Sequence, residues 1–323
     1  MKPEGAGWFS MSKIVVVGSF NMDLVVRLPV IPRPGETLLG GVFATHPGGK
    51  GSNQAVAAAR LGGAVTMIGR VGADAFGDQL LAMAGAEGID ARFVGIDPEA
   101  ATGVALIQVD DQGQNSIAVA SGANFRLTTA DVAAALAQMD AFDLLVMPLE
   151  TPLETIVTAA GLARQVGARV VLNPAPAQHL TPELLGNVDV LIPNEYEAAL
   201  MTGIEIHSLQ DAHRAAARLL QSGPGSVIIT LGSRGALIAE STPAEQPHYT
   251  HVPAFSVKPV DTTAAGDAFI GGLAVALGEG HTLPASAAFA SAAAALAVTR
   301  VGAQPSLPSR AEVDEFLTTR PSP

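Results

Sequence analysis

The sequence predicts an α/β protein, with a three-layer α/β/α body around a mostly parallel central sheet and a small β-sheet lid. Short apolar runs of strand length alternate with helical patterns along most of the chain. This alternation is typical of parallel strands that are covered by helices on both faces. Two segments that read as exposed strands interrupt it. The chain has 323 residues, 48% of them hydrophobic, which is enough for one large domain.

The central sheet is predicted from six buried strands that read as near-continuous apolar runs. These strands are expected at residues 14–17, 65–68, 144–147, 170–172, 190–192 and 227–231. Helices are expected between them at residues 52–61, 76–87, 153–166 and 209–221. From Ala264 onward the chain is predicted to be helical, with polar breaks near His281 and at residues 305–308. Strands separated by helices in this way favour a parallel sheet.

The lid is predicted from two insertions, at about 21–47 and 102–122. The first contains exposed strands at 23–26 and 37–45. The second contains strands at 104–109 and 116–120, which flank the hairpin sequence Asp110-Asp111-Gln112-Gly113. We expect the two insertions to pair over one edge of a single domain that spans residues 13–320. Residues 1–12 are expected to form a disordered extension.

Composition excludes several classes of function. The net charge is −12 and the isoelectric point is about 4.9, so no basic surface for nucleic acid or for an anionic membrane is expected. Cysteine is absent, which excludes disulfides and thiol catalysis and fits a reducing cytoplasm. The N-terminal stretch has no apolar segment typical of a signal peptide. A soluble, cytoplasmic protein is therefore expected.

Two common nucleotide-binding motifs do not fit. The Walker loop fails at both ends, because Gly49-Lys50 is followed by Gly51 and its leading position is Ala44. The first strand is followed by Gly18-Ser-Phe-Asn21 rather than by the glycine finger of a dinucleotide site. His248 and His251 are close together, but on a strand they favour a solvated face over a metal site.

The most informative segment is Asp261-Thr-Thr-Ala-Ala-Gly-Asp267, which an apolar helical pattern follows directly. Small residues at a helix start allow backbone N–H groups to close on an anion, and the helix dipole favours negative charge there. An aspartate in the same turn can accept a proton from a hydroxyl group. These are the parts that phosphoryl transfer needs. The alternative is that Asp267 only complements the helix N-terminus.

Polar residues follow several other predicted strands, at the edge where open α/β sheets bind ligands. Asn21 and Asp23 are two residues apart on an extended segment, so their side chains face the same side. They could hydrogen-bond to vicinal hydroxyls, or simply form a turn. The glycine turn 47–51 leads into a helix, where Lys50 could be solvated and the following polar residues could be caps. Glu150 follows the strand 144–147.

The remaining strand-end candidates lie in the second half of the chain. Asn194 and Glu197 suit a capping box, and equally suit the handling of Mg²⁺ and phosphate through water. The glycine-rich turn 230–235 could pass beneath a nucleotide.

Taken together, these motifs resemble those of the PfkB family of carbohydrate kinases, and within it the ribokinases. The resemblance covers essentially everything from Lys13 to Leu317. It rests on Gly18-Ser-Phe-Asn-Met-Asp23, Pro34-Gly-Glu-Thr37, Gly48-Gly-Lys-Gly-Ser-Asn-Gln-Ala-Val-Ala-Ala-Ala59, Asn173-Pro-Ala-Pro176, Pro193-Asn-Glu195, Ile229-Thr-Leu-Gly-Ser-Arg-Gly235, Asp261–Asp267 and Val298-Thr-Arg-Val-Gly-Ala-Gln-Pro-Ser306.

The resemblance implies a ribokinase-like fold and a role for each motif. Asp267 would be the catalytic base, and Glu197 would act indirectly on Mg²⁺. The anion hole would be formed by Ala264, Ala265 and Gly266. The sugar would be held by Asn21, Asp23, Gly49, Lys50, Asn53, Glu150 and Asp267. ATP would be contacted by Asn194, Thr230, Gly232, Ser233, Gly235, Gly266 and Ser291. A monovalent cation, K⁺, would be surrounded by Asp261, Thr263, Ala297, Arg300, Gly302 and Ser306.

Two departures from the family pattern are visible. Ala264-Ala265-Gly266 stands where many members have Gly-Ala-Gly, and Ser291 stands where larger Asn or His side chains are common.

The function implied is ATP-dependent phosphorylation of D-ribose at its 5-hydroxyl. One alternative is a sibling kinase that acts on deoxyribose, another sugar or a nucleoside, and a more distant one is a non-catalytic sugar-binding regulator. The exposed edges and apolar residues of the lid, such as Val104, Leu106 and Ile117, predict a homodimer formed through the lid.

Overall fold

A nine-stranded sheet lies at the centre of the protein, and a separate four-stranded sheet lies at one side of it. The structure is a computed structural model that describes residues 11–242 and 246–320. The strands are β1 (Lys13–Val17), β2 (Asn21–Arg27), β3 (Val42–Gly48), β4 (Ala64–Gly72), β5 (Asp90–Asp97), β6 (Gly103–Val109), β7 (Asn115–Ala120), β8 (Leu144–Met147), β9 (Arg169–Leu172), β10 (Val190–Leu191), β11 (Ser226–Thr230), β12 (Ala236–Glu240) and β13 (His248–Val252). The helices are α1 (Lys50–Arg60), α2 (Ala75–Ala86), α3 (Thr129–Ala137), α4 (Leu153–Gln165), α5 (Pro182–Leu185), α6 (Glu195–Thr202), α7 (Leu209–Gln221), α8 (Ala265–Gly278), α9 (Leu283–Ala297) and α10 (Arg310–Thr319).

The large sheet has the strand order β13-β12-β11-β10-β9-β8-β1-β4-β5. Every pair from β11 to β5 is parallel, and only β12 and β13 run antiparallel at one edge. Alternate residues of β1 enter different cores: Ile14 and Val16 pack with α8 and α9, whereas Val15 and Val17 pack with α4. Both faces are therefore buried, which confirms the predicted three-layer fold and explains the continuous apolar strands.

The small sheet has the order β3-β2-β6-β7 and joins segments from both predicted insertions. Strands β2 and β6 pair in parallel, with Asn21 opposite Gly103. The smaller sheet that the sequence predicts is thus present, and we call it the lid. All six residues of β7 are exposed, as are Leu106 on β6 and Phe43 on β3. By the strand register, Leu106 and Phe43 share one face of the lid, which is apolar and open to solvent there, whereas Ile117 on β7 lies on the other face.

The strand predicted at 37–45 is shifted toward the C-terminus, because β3 covers Val42–Gly48. The two glycines before it explain the shift. Gly40 has a φ of 92°, which is not a strand conformation, and Gly41 lies so close to the side chains of Leu28 and Val26 that a Cβ would clash there. Extended pairing with β2 therefore begins only after them.

The N-terminal extension predicted at 1–12 lies mostly outside the described residues. Ser12 is described and is buried, and its carbonyl oxygen accepts a hydrogen bond from the N–H of Ala64 at 2.9 Å. Within 11–242 and 246–320, no helix has the length and apolar character needed to cross a membrane.

Candidate active site

Asp267 is at the centre of the candidate site, in the first turn of α8, and its side chain is 7% exposed. Both of its oxygens accept hydrogen bonds from α1. Asn53 Nδ2 donates to Oδ2 at 3.1 Å, and Gln54 Nε2 donates to Oδ1 at 3.0 Å. Burial raises the pKa of Asp267, while Lys50 and these two amides oppose the rise. The arrangement is a buried proton acceptor whose orientation is fixed by two donors.

The start of α8 has the geometry of an anion-binding turn. Ala264 precedes the helix with a φ of 60°, the one non-glycine residue with positive φ in the described chain. Within that part of the chain, the N–H groups of Gly266 and Asp267 have no hydrogen-bond partner, whereas that of Ala265 lies 3.3 Å from the carbonyl of Thr262. A Cβ built at Gly266 would meet nothing within 4 Å. Free donors therefore face open space, which fits a phosphate group.

The glycine turn before α1 packs directly against the end of β1. Gly49 has a φ of 89°, and a Cβ there would clash with the backbone of Asn21 and Ser19. The turn is tied to the next strand by Glu150, whose Oε2 accepts from the Lys50 N–H at 3.0 Å and from Ser19 Oγ at 2.6 Å. Glycine is thus required for the close approach, and Glu150 holds the turn in place.

Lys50 is half-buried and interacts electrostatically with four carboxylates from four different parts of the fold. Burial by itself would lower the pKa of Lys50, but Asp267, Glu150, Glu197 and Asp23 together raise it. The side chain therefore remains charged and supplies the positive charge at the centre of an acidic site.

Asp23 has a strongly perturbed carboxyl group. Burial, together with Glu150 and Asp267, raises the pKa of Asp23 to about 7, although Lys50 opposes the rise. Its carboxylate lies where a Cβ of Gly48 would otherwise be, so the glycine makes room for it. A carboxyl group in this state can both accept and donate hydrogen bonds near neutral pH.

Asn21 begins β2 and is buried beside Asn124. Its Oδ1 accepts from Asn124 Nδ2 at 2.8 Å. Asn124 lies in a 3₁₀ turn, Gly122–Arg126, that directly follows the lid strand β7. The sequence-predicted residue is therefore held by a partner from the turn that follows the other insertion.

Asn194 and Glu197 form the capping box that the sequence allowed. Asn194 Oδ1 accepts from the Glu197 N–H, and Glu197 Oε2 accepts from the Asn194 N–H, both at 2.8 Å. Burial raises the pKa of Glu197. One oxygen of Glu197 is thus engaged in the cap, and the residue lies close enough to Lys50 to interact electrostatically with it.

The turn 230–235 lies beside Asn194, with the Thr230 N–H donating to the carbonyl of Pro193 at 3.0 Å. Gly232 and Gly235 both have positive φ, and a Cβ at Gly235 would clash with the carbonyl of Val252. Ser233 lies within the same turn. Ser291 lies on α9 with a nearly buried side chain. These residues offer mainly backbone atoms to a ligand.

The predicted cation residues lie in two segments that Asp261 joins. Its Oδ1 accepts from the N–H and Oγ1 of Thr263 at 2.9 and 2.6 Å, and its Oδ2 accepts from the Gly302 N–H at 2.9 Å. Burial alone would raise the pKa of Asp261, but these hydrogen bonds lower it.

The other predicted cation residues carry backbone and side-chain oxygens beside this junction. The carbonyl of Ala297 accepts from the Arg300 N–H at 3.1 Å, and Ser306 is fully buried. The two segments fit a cation held mainly by carbonyl oxygens. In the described part of the chain, no three His, Cys, Asp or Glu residues cluster as a metal site.

Sequence reasoning missed several buried groups that hold the site residues. Gln54 Nε2 bridges Asp267 and Asn173 Oδ1, the latter at 3.1 Å, and Asn173 Nδ2 donates to the carbonyl of Ile192 at 3.0 Å. Asn124 and Ser19 support Asn21 and Glu150 in a similar way. The amide oxygens of Asn53 and Gln54 are buried, and neither has a partner among the described residues. Orphaned acceptors of this kind fit a ligand that carries hydroxyl groups.

Comparisons with known proteins agree with this geometry. The family model described as "pfkB family carbohydrate kinase" matches residues 11–310. A ribokinase of Haemophilus influenzae is 43% identical over 94% of this chain and 98% of its own length. A deoxyribokinase of Salmonella typhi is 37% identical over 94% of this chain and 98% of its own length. The structure of Arabidopsis thaliana ribokinase complexed with ribose and ATP is 31% identical, with a TM-score of 0.84 over 95% of this chain and 99% of that one.

Proposed function

Because the chain belongs to the PfkB family of carbohydrate kinases, we propose that it transfers the γ-phosphoryl group of ATP to the 5-hydroxyl of D-ribose. The products are D-ribose 5-phosphate and ADP. The observation that carries this function is the position of Asp267, a buried proton acceptor beside the free N–H groups of Gly266 and Asp267 itself. A non-catalytic sugar-binding regulator would need no such acceptor.

Ribose lies between the lid and the start of α1 in this proposal. Its hydroxyl groups are bound by Asn21, Asp23, Lys50, Asn53 and Glu150, with Gly49 leaving room for the sugar ring. The unpartnered Oδ1 of Asn53 supports this placement. A buried amide oxygen without a donor destabilises the protein, and a sugar hydroxyl that donates to it removes that cost.

Asp267 accepts the proton of the 5-hydroxyl as the phosphoryl group moves. The N–H groups at the start of α8 stabilise the charge that develops on the transferring phosphoryl oxygens. Lys50 keeps the cluster of carboxylates from repelling the incoming phosphate, since it remains protonated. The chemistry therefore needs little more than position and charge.

ATP lies across the carboxyl edge of the large sheet. Its phosphates lie against Gly266, with Ala264 and Ala265 completing the anion hole, and its nucleoside lies against Asn194, Ser291 and the turn 230–235. Mg²⁺ bound to the phosphates would neutralise their charge, and the free oxygen of Glu197 would hold it through water. The open space above Gly266 supports this arrangement.

K⁺ would be held between Asp261 and the segment 297–306. The ion would fix the conformation of the turn 262–264, which leads into α8. The N–H groups at the start of α8 would then point at the transferring phosphoryl group. The supporting observation is that Asp261 accepts hydrogen bonds from both segments and so joins them. Asp261→Ala should abolish activation by K⁺, measured against tetramethylammonium at equal ionic strength.

The exposed apolar face of the lid would form a homodimer interface in a cytoplasmic, single-domain enzyme that spans residues 13–320. Leu106 and Phe43 are exposed on it, whereas Ile117 is exposed on the opposite face of the lid. Light scattering at micromolar concentration should report twice the mass of one chain, and a monomer would contradict this part of the proposal.

The test of function is an ADP-release assay coupled to a panel of D-ribose, 2-deoxyribose, other pentoses and nucleosides. Ribose should give the highest kcat/KM. A higher value for 2-deoxyribose would instead support the activity named for the Salmonella typhi relative. No ADP release with any member of the panel would contradict a kinase function.

A further inference from the structure

Asn124 makes three hydrogen bonds at the base of the lid, and all three are buried. Its Oδ1 accepts from the Phe20 N–H at 2.9 Å, and its Nδ2 donates to the Phe20 carbonyl at 2.9 Å. The same Nδ2 donates to Asn21 Oδ1 at 2.8 Å. One side chain from the 3₁₀ turn after the second insertion thus holds the backbone of Phe20 and the side chain of Asn21.

The backbone N–H and carbonyl of Phe20 determine the orientation of the side-chain amides of Asn124 and Asn21. An N–H group can only donate and a carbonyl can only accept, so Asn124 must present Oδ1 to the first and Nδ2 to the second. The Asn21 atom that faces Asn124 Nδ2 must then be its oxygen. Asn21 Nδ2 consequently faces away from Asn124, and within the described residues it has no hydrogen-bond partner.

Space at this contact is reserved by a glycine of the lid. A Cβ built at Gly103, the first residue of β6, would clash with Asn21 Oδ1, Asn124 Nδ2 and the Phe20 carbonyl. Gly103 is also the residue that pairs with Asn21 across β2 and β6. The amide pair therefore occupies the point where the two insertions of the lid meet.

We propose that Asn124 is a positioning residue for sugar selection, which fixes Asn21 as a hydrogen-bond donor toward the sugar. This inference rests on the proposed kinase function. Asn21 supplies a donor while Asp23, two residues along the same strand face, supplies an acceptor. Two neighbouring hydroxyls of a pentose match that pair, whereas a deoxy sugar leaves Asn21 Nδ2 unpaired.

Asn124→Asp tests the assignment with almost no change in shape. The carboxylate can accept from the Phe20 N–H but cannot donate to Asn21, so the amide of residue 21 turns over and presents its oxygen to the sugar. The kcat/KM ratio of ribose to 2-deoxyribose should fall by about tenfold or more. The ribose hydroxyl that accepted from Asn21 Nδ2 then faces an oxygen and can pair with it only by withdrawing its proton from another acceptor, whereas 2-deoxyribose has no such hydroxyl. The loss should appear in KM for ribose, with kcat largely retained.

Asn21→Asp is the matched variant, because it places an acceptor toward the sugar while leaving every donor of Asn124 satisfied. Both variants should shift the sugar ratio in the same direction. Asn187→Asp is the control, since the side chain of Asn187 is at the surface and, among the described residues, hydrogen-bonds only to the carbonyl of Glu183. Its ratio should equal that of the wild type.

The inference is overturned if folded Asn124→Asp keeps the wild-type sugar ratio while Asn21→Asp loses it. If Asn124→Asp does not fold in a thermal melt, Asn124→Ala replaces it. That variant frees Asn21 to take either orientation, so a lowered ratio supports the inference and an unchanged ratio overturns it. Absence of ribose phosphorylation by the wild type would instead contradict the proposed function.

Discussion

The sugar side and the nucleotide side of the site are built differently. On the sugar side, charged and amide side chains from β2, α1 and α8 are buried and hydrogen-bonded to one another, as with Asn53 and Asp267. On the nucleotide side, the turn 230–235 and the start of α8 offer mainly backbone groups, and a Cβ at Gly266 would meet open space. Side-chain networks discriminate between similar ligands, whereas backbone donors bind any phosphate. Specificity should therefore be concentrated on the sugar side.

Asp267→Asn should produce the largest effect, because it removes the proton acceptor and keeps the shape of the site. Turnover should fall by roughly 10²–10⁴-fold. Ribose and ATP should still bind, as measured by calorimetry on the purified variant. Turnover near that of the wild type would contradict the assignment of the base.

Asp23→Asn should stabilise the ligand-free protein and abolish tight ribose binding. Asp23 has a pKa of about 7 in the folded protein against 3.8 for the free group. Asp23 therefore does not lower the free energy of unfolding below pH 3.8, where it is protonated in both states. Above pH 3.8 it lowers that free energy increasingly as the pH rises toward 7. The variant should gain roughly 2–4 kcal/mol of unfolding free energy at pH 8, because one pKa unit corresponds to about 1.4 kcal/mol.

Urea unfolding of both proteins at pH 8 and pH 5 measures this difference, which should be smaller at pH 5. A variant that is less stable than the wild type at pH 8 would show that Asp23 is not strained by burial.

Gln54→Met tests whether the side-chain network itself supports catalysis. The variant removes the donor to Asp267 Oδ1 and should lower kcat by roughly tenfold, in line with the loss of one hydrogen bond to a charged group. Because the carboxylate loses a stabilising donor, the pKa of Asp267 should rise and the acid limb of kcat/KM should move to higher pH. The charged groups that face Asp267 are Asp23, Lys50, Glu150 and Glu197, and the variant leaves all four in place.

Gln138→Met is the matched control for Gln54→Met, since the side chain of Gln138, as far as the structure describes the chain, hydrogen-bonds only to the carbonyl of Ala134 at the surface. An identical pH profile for Gln54→Met and the control would exclude a role for Gln54 in orienting the base.

Gly266→Ala should leave kcat largely unchanged and should separate binding from stability on the proposed nucleotide side. The added methyl enters open space within the protein but intrudes on the phosphate position, so KM for ATP should rise about tenfold. Thermal stability should not fall, because alanine is favoured over glycine in a helix by about 1 kcal/mol.

Gly161→Ala is its control: Gly161 lies in α4 and a Cβ there also meets nothing within 4 Å. It should give a similar stability and an unchanged KM for ATP. Equal KM values for the two variants would contradict phosphate binding at Gly266.

The sequence was sufficient for the body of the fold because strand and helix periodicities are local. It also pointed to Asn194 from its position after a strand, and to Asp267 and Lys50 from the turns of small residues that lead into helices. The structure brings Lys50 and Asp267 together, and their roles in a reaction stay predictions. The edge strand β5 was missed, because half-exposed strands lack the continuous apolar run of a buried one. Strand β12 was missed although most of its residues are buried.

The supporting amides Gln54 and Asn124 could not be predicted for a different reason. Gln54 is 213 residues from Asp267, and Asn124 is 103 residues from Asn21. Their roles depend on contacts between distant segments, and a lone Gln or Asn in the sequence does not indicate such a contact. The left-handed backbone conformation of Ala264 could likewise not be predicted from the sequence, because alanine rarely adopts it.

The parallel pairing of β2 with β6 has a consequence for the order of folding. Strand β2 ends at Arg27 and β6 begins at Gly103, so α1, β4, α2 and β5 all lie between two neighbours in the lid. Closing so long a connection costs conformational entropy, and this cost is smaller after the intervening elements have docked on the large sheet. During refolding, helical circular dichroism should therefore recover before ribose binding does.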